Sequence, residues 1–392
     1  RAMEDSHSAV QSARPKALEF FAGIGLARLG LEEAGFEVEW SNDIDAAKCE
    51  MYRNQFDDVS SHTLIEGDMS ELNGSDLPHD ASIAWGSSPC TDLSLAGTRT
   101  GLNGKQSGAF WQYIRLLKEL DGNRPPIAVL ENVNGLATSH SGEDLAAAVR
   151  AFNELGYSVD VLSIDARRFI PQSRPRLFLI GLMNPPAVEQ ADSPLRPEWL
   201  QQVFGDDSLR THRAPLPQPP SPLKSGLSMY VEEMSDEDER WWDTNRTKRF
   251  LDSLSPIQAS RVERLRAGNN ETYRTAYRRT RNGKAVWEVR IDDVSGCLRT
   301  ARGGSSRQAV IRLGKGKASV RWMTPHEYAA LMGAAHYNIE GLRPNQVMFG
   351  FGDAVAVPVV EWLGRHYFMP ALQHTLGKGV CAEQDSLSAQ TV

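Results

Sequence analysis

A chain of 392 residues with 41% hydrophobic and 24% charged residues is long enough for a sizeable core and two domains, and its composition is that of a globular protein. No apolar run approaches the roughly 20 residues of a membrane span, and no apolar signal-like segment opens the chain. The formal charge of −7 argues against a nucleic-acid partner only on average: residues 240–290 hold thirteen Arg or Lys against five Asp or Glu, and local charge is what binds phosphate. Four cysteines, at 49, 90, 297 and 381, form no Cys-x-x-Cys pair, which argues against a zinc or dithiol motif and fits a reducing cytosol.

The polar residues Arg1 to Arg14 are left out of the fold reading. Beyond them, short apolar runs alternate with helical patterns, the signature of a parallel α/β sheet. Strands are predicted at 17–21, 37–41, 81–85, 127–130, 158–164 and 177–181, and helices at 26–34, 46–55, 109–120 and 142–155. Leu145, Val149, Phe152 and Leu155 give the last helix an apolar stripe. The alternation breaks near Met183. Residues 184–222 are rich in Pro and polar residues, 231–239 are acidic, and the basic segment with Trp241 and Trp242 follows, so a separate, irregular module is expected there. Thr324-Pro325-His326-Glu327 caps a returning helix. Residues 354–368 read as a strand or helix that rejoins the first domain, and 373–392 as a disordered tail.

Three features fall at successive strand ends. Glu19-Phe20-Phe21-Ala22-Gly23-Ile24-Gly25-Leu26 lies between strand and helix, where glycines admit a ligand close to the backbone and a helix N-terminus offers free N–H groups. A tight strand-to-helix turn of any α/β protein would look the same. Arg28 occupies the third glycine position of the dinucleotide fingerprint, which disfavours a pyrophosphate. Asp43 can accept ribose hydroxyls, and Asp68 an adenine amino group. Together they outline a nucleoside without phosphates, as in S-adenosylmethionine.

Cys90 stands in Gly86-Ser87-Ser88-Pro89-Cys90-Thr91-Asp92-Leu93-Ser94; Glu131-Asn132-Val133 begins forty-one residues later, and Gln172-Ser173-Arg174-Pro175-Arg176 forty-one after that. A thiolate is the soft nucleophile needed to add to a pyrimidine ring. A carboxylic acid of raised pKa can protonate a ring nitrogen. Guanidiniums can hold a carbonyl oxygen or a phosphate. Singly, each has a bland explanation: a buried thiol, a turn cap, charges on an edge strand. The glycine-rich run from Thr91 to Gly108 is a solvent loop or a lid over an extruded base.

In order and spacing these residues resemble the DNA (cytosine-5) methyltransferase family, from about Ala17 to about Arg365. The resemblance implies a Rossmann-like, mostly parallel α/β methyltransferase sheet with a second, smaller target-recognition domain. Residues 15–190 would form the first part of the catalytic domain, 191–321 the recognition domain and 322–372 the return. It implies S-adenosylmethionine held by Phe21, Ala22, Gly23, Ile24, Gly25, Leu26, Asp43, Ile44, Asp68, Met69, Pro89, Phe110, Asp353 and Val355. Cys90 would be the nucleophile, Glu131 the nitrogen contact, and Arg174 and Arg176 the ring and active-site contacts. Duplex DNA is the implied partner, with Arg278, Arg279, Arg302, Gly303 and Gly304 as contacts. A cytosolic monomer without metal is expected, of the bacterial modification or defence kind. The chain departs from the family pattern at Glu19, Leu26, Asp43 and Asp353 near the cofactor, and at Thr91 and Leu93 after the nucleophile. The alternatives are a transfer-RNA cytosine methyltransferase and a DNA-binding regulator with a dead active site.

Overall fold

The structure is a computed structural model; it describes residues 13–57, 61–88, 108–190, 192–299 and 307–375. In chain order the first module comprises β1 (Lys16–Phe20), α1 (Leu26–Glu33), β2 (Glu37–Asp43), α2 (Ala46–Gln55), β3 (Thr63–Glu66), β4 (Ile83–Ser87), α3 (Ala109–Glu119), β5 (Ile127–Asn132), α4 (Gly135–Thr138), α5 (Glu143–Glu154), β6 (Ser158–Asp165) and β7 (Pro175–Leu182). They make one seven-stranded sheet in the order β3-β2-β1-β4-β5-β7-β6. The strands run parallel except β7, which is antiparallel to both of its neighbours. β1, β4 and β5 are almost wholly buried apolar runs because helices cover both faces of the sheet.

This topology positions the site. In an open α/β sheet the crevice lies beyond the carboxyl ends of the parallel strands. Phe21, Asp43, Asp68, Ser87 and Glu131 therefore gather at one edge. The reversal of β7 brings its amino end, with Arg174 and Arg176, to that same edge. Register pairs Ser87 with Glu131, and Glu131 with Phe178.

The segment that the sequence marks as a Pro-rich boundary holds to the far edge of the sheet and includes α6 (Gln201–Phe204). Val159 N donates to Arg210 O and Ser163 N to Leu195 O. Asp160 is buried with Arg196, which approaches to 2.6 Å. The expected irregular module is regular: α7 (Thr244–Asp252) and α8 (Pro256–Arg266) cover a four-stranded antiparallel sheet. Its strands are β8 (Thr272–Arg281), β9 (Lys284–Val289), β10 (Ala309–Gly314) and β11 (Lys317–Trp322), in the order β11-β10-β8-β9.

The chain then returns through α9 (Pro325–Leu331), α10 (Pro344–Gly352) and α11 (Val357–Leu363), so of residues 354–368 the first three form a turn and the rest are helical. Thr324 and Glu327 form the capping box expected of α9. α11 packs on α1, where a Cβ at Gly30 would meet Val360 Cβ at 2.6 Å, so only glycine admits this approach. By length and composition the stretch Pro344–Thr375 could cross a membrane, with a mean hydropathy of 1.4, although no such run stands out in the sequence. Of its apolar window, 67% is buried, in the core that it shares with α1.

Candidate active site

A cavity of about 1190 Å3 opens at the strand edge. One end is built by the turn after β1. Phe21, with φ 53, takes a left-handed conformation costly for a bulky residue, and Gly23, with φ 54, has open space where a side chain would stand. Asp43 braces this turn: its Oδ2 accepts Gly23 N–H at 2.7 Å and its Oδ1 accepts Asp45 N–H at 2.8 Å. Each oxygen keeps a second lone pair for a ligand hydroxyl. Burial raises the Asp43 carboxyl above its ordinary value, against the two amides and the Lys48 charge. Ile44 beside it is 68% exposed although apolar, a flat wall facing the cavity. Asp68 lines the same end and caps the turn Met69–Glu71 by accepting Ser70 N–H at 2.9 Å.

The other end holds the reacting groups. Glu131 is only 7% exposed. Burial raises its pKa, against Arg176, Arg174 and a hydrogen bond from Ser87. Arg176 Nε lies 3.4 Å from Glu131 Oε1. Arg174, 2% exposed, uses its terminal nitrogens on the protein itself. Nη1 donates to Leu298 O at 2.8 Å and Gln172 Oε1 at 3.2 Å, and Nη2 to Gly352 O at 2.9 Å and Ala354 O at 2.7 Å. It ties β7, the stretch between β9 and β10 and the turn after α10 into one wall.

Of the residues expected from sequence, Phe21, Ala22, Gly23, Leu26, Asp43, Ile44, Asp68, Met69, Glu131, Arg174, Arg176, Asp353 and Val355 line this cavity together. Ile24 is buried in the core, Gly25 precedes α1 in a left-handed conformation, and Phe110 is buried against Trp111 and Phe152; none of the three lines the cavity. Arg278 lies over Trp287 at 5.8 Å, and Arg279 approaches Glu288 at 3.5 Å, both in the second module. Pro89, Cys90, Arg302, Gly303, Gly304 and the run 91–107 lie outside the described residues. Ser88, the last described residue before Pro89 and Cys90, lines the cavity.

Sequence reasoning passed over Lys48 and Cys297. Lys48 Nζ binds Asp353 Oδ2 at 2.7 Å. Cys297 lines the cavity with Arg174 Nη1 at 3.8 Å and Arg176 Nη2 at 3.9 Å. Burial pushes the Cys297 thiol up, but Arg174, Arg176 and Arg299 outweigh it and hold the pKa below the ordinary value. The one available signal for Cys297 was its place two residues before Arg299.

The comparisons agree with this geometry. The family profile described as C-5 cytosine-specific DNA methylase matches residues 16–368. The Type II methyltransferase M.Bsp6I of Bacillus sp. (strain RFL6) is 26% identical over 362 residues, 90% of this chain and 98% of that protein. The Type II methyltransferase M.NgoFVII of Neisseria gonorrhoeae is 32% identical over 174 residues, 44% of each chain. M.FnuDI of Fusobacterium nucleatum is 31% identical over 195 residues, so these last two matches span about half of each relative's length. Among solved structures, the S. pombe Dnmt2 methyltransferase superposes with a TM-score of 0.55 at 17% identity, covering 90% of this chain and 97% of that one. That likeness concerns the fold. With the profile spanning nearly the whole sequence, this chain belongs to the C-5 cytosine-specific DNA methylase family.

Proposed function

We propose that this chain transfers a methyl group from S-adenosylmethionine to carbon 5 of a cytosine extruded from duplex DNA, as a monomeric cytosolic enzyme of the bacterial modification kind. The observation that carries this reading is a buried Glu131 beside Arg176, its pKa raised by burial, in the same cavity as the Asp43-braced turn. Enzymes of this family use S-adenosylmethionine, and the residues fit it. The open face at Gly23, the exposed Ile44 wall and the spare lone pairs of Asp43 suit a nucleoside and its amino-acid tail. When bound, it supplies an electrophilic methyl group on a sulfonium.

The chain's own residues do the rest. The Cys90 thiolate adds to carbon 6 of the ring, which places electron density on carbon 5. Glu131, its pKa raised by burial, acts in its protonated form: it donates to ring nitrogen 3 and draws charge from the ring as the thiolate adds. Arg176 donates to the ring carbonyl. Arg174, its terminal nitrogens already engaged, fixes the wall on which Arg176 and the turn around Asp353 stand. A cytosine in a duplex hides carbon 6, so extrusion is required. The cations of α7, α8 and β8 supply phosphate contacts.

The test uses duplex DNA carrying 5-fluorocytosine. Fluorine cannot leave carbon 5 as a cation, so the methylated Cys90 adduct persists as a denaturation-resistant complex when S-adenosylmethionine is present. Cys90→Ser abolishes it, and Cys297→Ser and Cys49→Ser leave it intact. An adduct in the Cys90→Ser protein, or methyl transfer to transfer RNA and not to duplex DNA, would overturn the reading.

A further inference from the structure

Trp242, Trp287 and Trp322 form a triangle with ring centroids 5.2 to 5.7 Å apart. They come from the turn before α7, from β9 and from the end of β11, and all three are half-buried. Three guanidiniums lie over this triangle, Arg278 the most distant at 5.8 Å from the Trp287 centroid, and two rest closely on it. Arg246, exposed on α7, lies 3.9 Å over Trp242 and 5.7 Å from Trp322; Arg307 lies 4.7 Å over Trp322.

Several other cations of the module are ion-paired: Arg279 and Arg281 with Glu288, Arg240 with Asp238, Arg290 with Asp292. Among the described residues no such pair forms for Arg246 or Arg307. Burial and the charge of Arg246 outweigh Tyr328 and hold the Arg307 guanidinium below its ordinary pKa. Arg307 Nε and Trp242 Nε1 are buried donors without an acceptor. Two like charges and two unmet donors are costly in the free protein, and an acceptor-rich ligand would relieve both costs.

Stacking selects the ligand. A guanidinium laid on an indole has its plane fixed, so its N–H fork points in a defined direction. A phosphate contact needs no such constraint, and Arg249, Arg261 and Arg264, carried on α7 and α8, supply plain charge. A planar fork of fixed direction matches the paired acceptors O6 and N7 of guanine in the major groove. The location is suitable as well. Arg299 lines the catalytic cavity, and the eight residues onward to Arg307 reach at most about 28 Å, the span of a short DNA site.

We propose that Arg246 and Arg307, docked on the Trp242–Trp287–Trp322 triangle, read the O6/N7 edge of a guanine near the target cytosine. This rests on the duplex-DNA reading above, and the experiment separates the two. The full chain methylates duplexes randomised around a central cytosine, and bisulfite sequencing gives the preferred site. The wild type is expected to require guanine at one or more positions. Arg246→Ala and Arg307→Ala should each loosen the preference at a guanine position by about 10- to 100-fold. Arg307→Lys should fail to restore it, because an ammonium has no fork. Each change should flatten the salt dependence of binding by no more than about one unit of log–log slope. An unchanged guanine preference in both alanine variants overturns the proposal, whether the salt slope falls (a phosphate contact) or stays (packing alone). So does a wild-type site without guanine. Should the Arg307 variants melt early, Arg246→Gln on the exposed helix surface decides. A wild type that methylates no duplex sinks the DNA reading and this inference with it.

Discussion

Arg174 is buried and Arg307 half-buried, and their surroundings are opposite. Arg174, at the edge of the seven-stranded sheet, gives both terminal nitrogens to backbone carbonyls from two distant parts of the chain. Arg307, at the edge of the four-stranded sheet, lies on an indole with no ion pair among the described residues, and both arginines keep a buried Nε without an acceptor. The same contrast runs through both regions. Around the cavity, Asp43 takes two amides, and at the far edge of the sheet Asp160 accepts from Arg196, Tyr367 and Ala214 N. In the second module cations lie on tryptophans and on helix surfaces. A reaction centre needs its groups held in place, which satisfied hydrogen bonds do. A recognition face needs donors left over for its ligand. The state of the terminal nitrogens is thus a guide to role: an arginine whose terminal nitrogens are engaged positions, and one stacked on an indole without an ion pair is open to a ligand.

The strongest way to break the catalytic half of this contrast is Glu131→Gln. The amide keeps shape but cannot donate a proton to ring nitrogen 3, so kcat should fall about 10²- to 10⁴-fold. Burial raises the Glu131 pKa, so the working, protonated form is lost as pH rises through that raised value. The wild-type rate should decline there, and the decline should be missing in the variant. A variant with the parental rate and pH profile would remove Glu131 from proton transfer.

That prediction depends on features partly legible in the sequence. Glu131, Asp43 and the glycine turn were legible because each ends a buried parallel strand, and apolar runs announce such strands. The reversal of β7 was not, since a buried strand has the same composition in either direction. The four-stranded sheet was hidden for a different reason. Tyr273-Arg274-Thr275-Ala276-Tyr277-Arg278-Arg279 alternates, but its long cations mask the period of two. The duties of Arg174 could not be read either, because its acceptors are backbone carbonyls, which have no side-chain signature. Cys297 and Lys48 reach the cavity by contacts across more than a hundred and three hundred residues, beyond any local pattern.

His212 sharpens the comparison by a smaller amount. It is 4% exposed, with Nδ1 2.9 Å from Ser158 Oγ and Nε2 3.1 Å from Tyr367 Oη, and it ties the 192–222 segment to the far edge of the first sheet. Burial lowers its pKa from 6.5 to about 4, against the pull of Asp160. The folded pKa is the depressed one, so the stabilisation from a neutral His212 is complete above about pH 6.5 and is lost as pH falls through about 4. Over that window it amounts to about 3 kcal/mol. Hydrogen exchange between pH 7 and 4.5 should show β6 and residues 210–214 loosening before the four-stranded sheet. His212→Gln should flatten the dependence. Uniform loosening of both sheets would deny His212 this local role.

The smallest effect expected lies at the rim of the cofactor cavity. Asp353 stands where the family pattern has an amide, and Lys48 faces its carboxylate together with those of Asp43 and Asp45. Lys48 Nζ reaches Asp353 at 2.7 Å from α2. Burial lowers the Lys48 pKa, but Asp353, Asp43 and Asp45 outweigh it and raise it overall. The pair extends a seam in which Gln346 donates to Ala47 O and Glu50, both at 3.0 Å. It therefore joins α2 to the turn whose flanking carbonyls Arg174 holds. Asp353 is 41% exposed, so solvent screens the pair, and a double-mutant cycle of Lys48→Ala and Asp353→Ala on S-adenosylhomocysteine binding should give a coupling below about 1 kcal/mol. The sign distinguishes the alternatives. Positive coupling, with each single change weakening binding by calorimetry, means that the pair shapes the rim for its ligand. Zero coupling, with both single variants binding as the parent does, would reduce it to a surface contact.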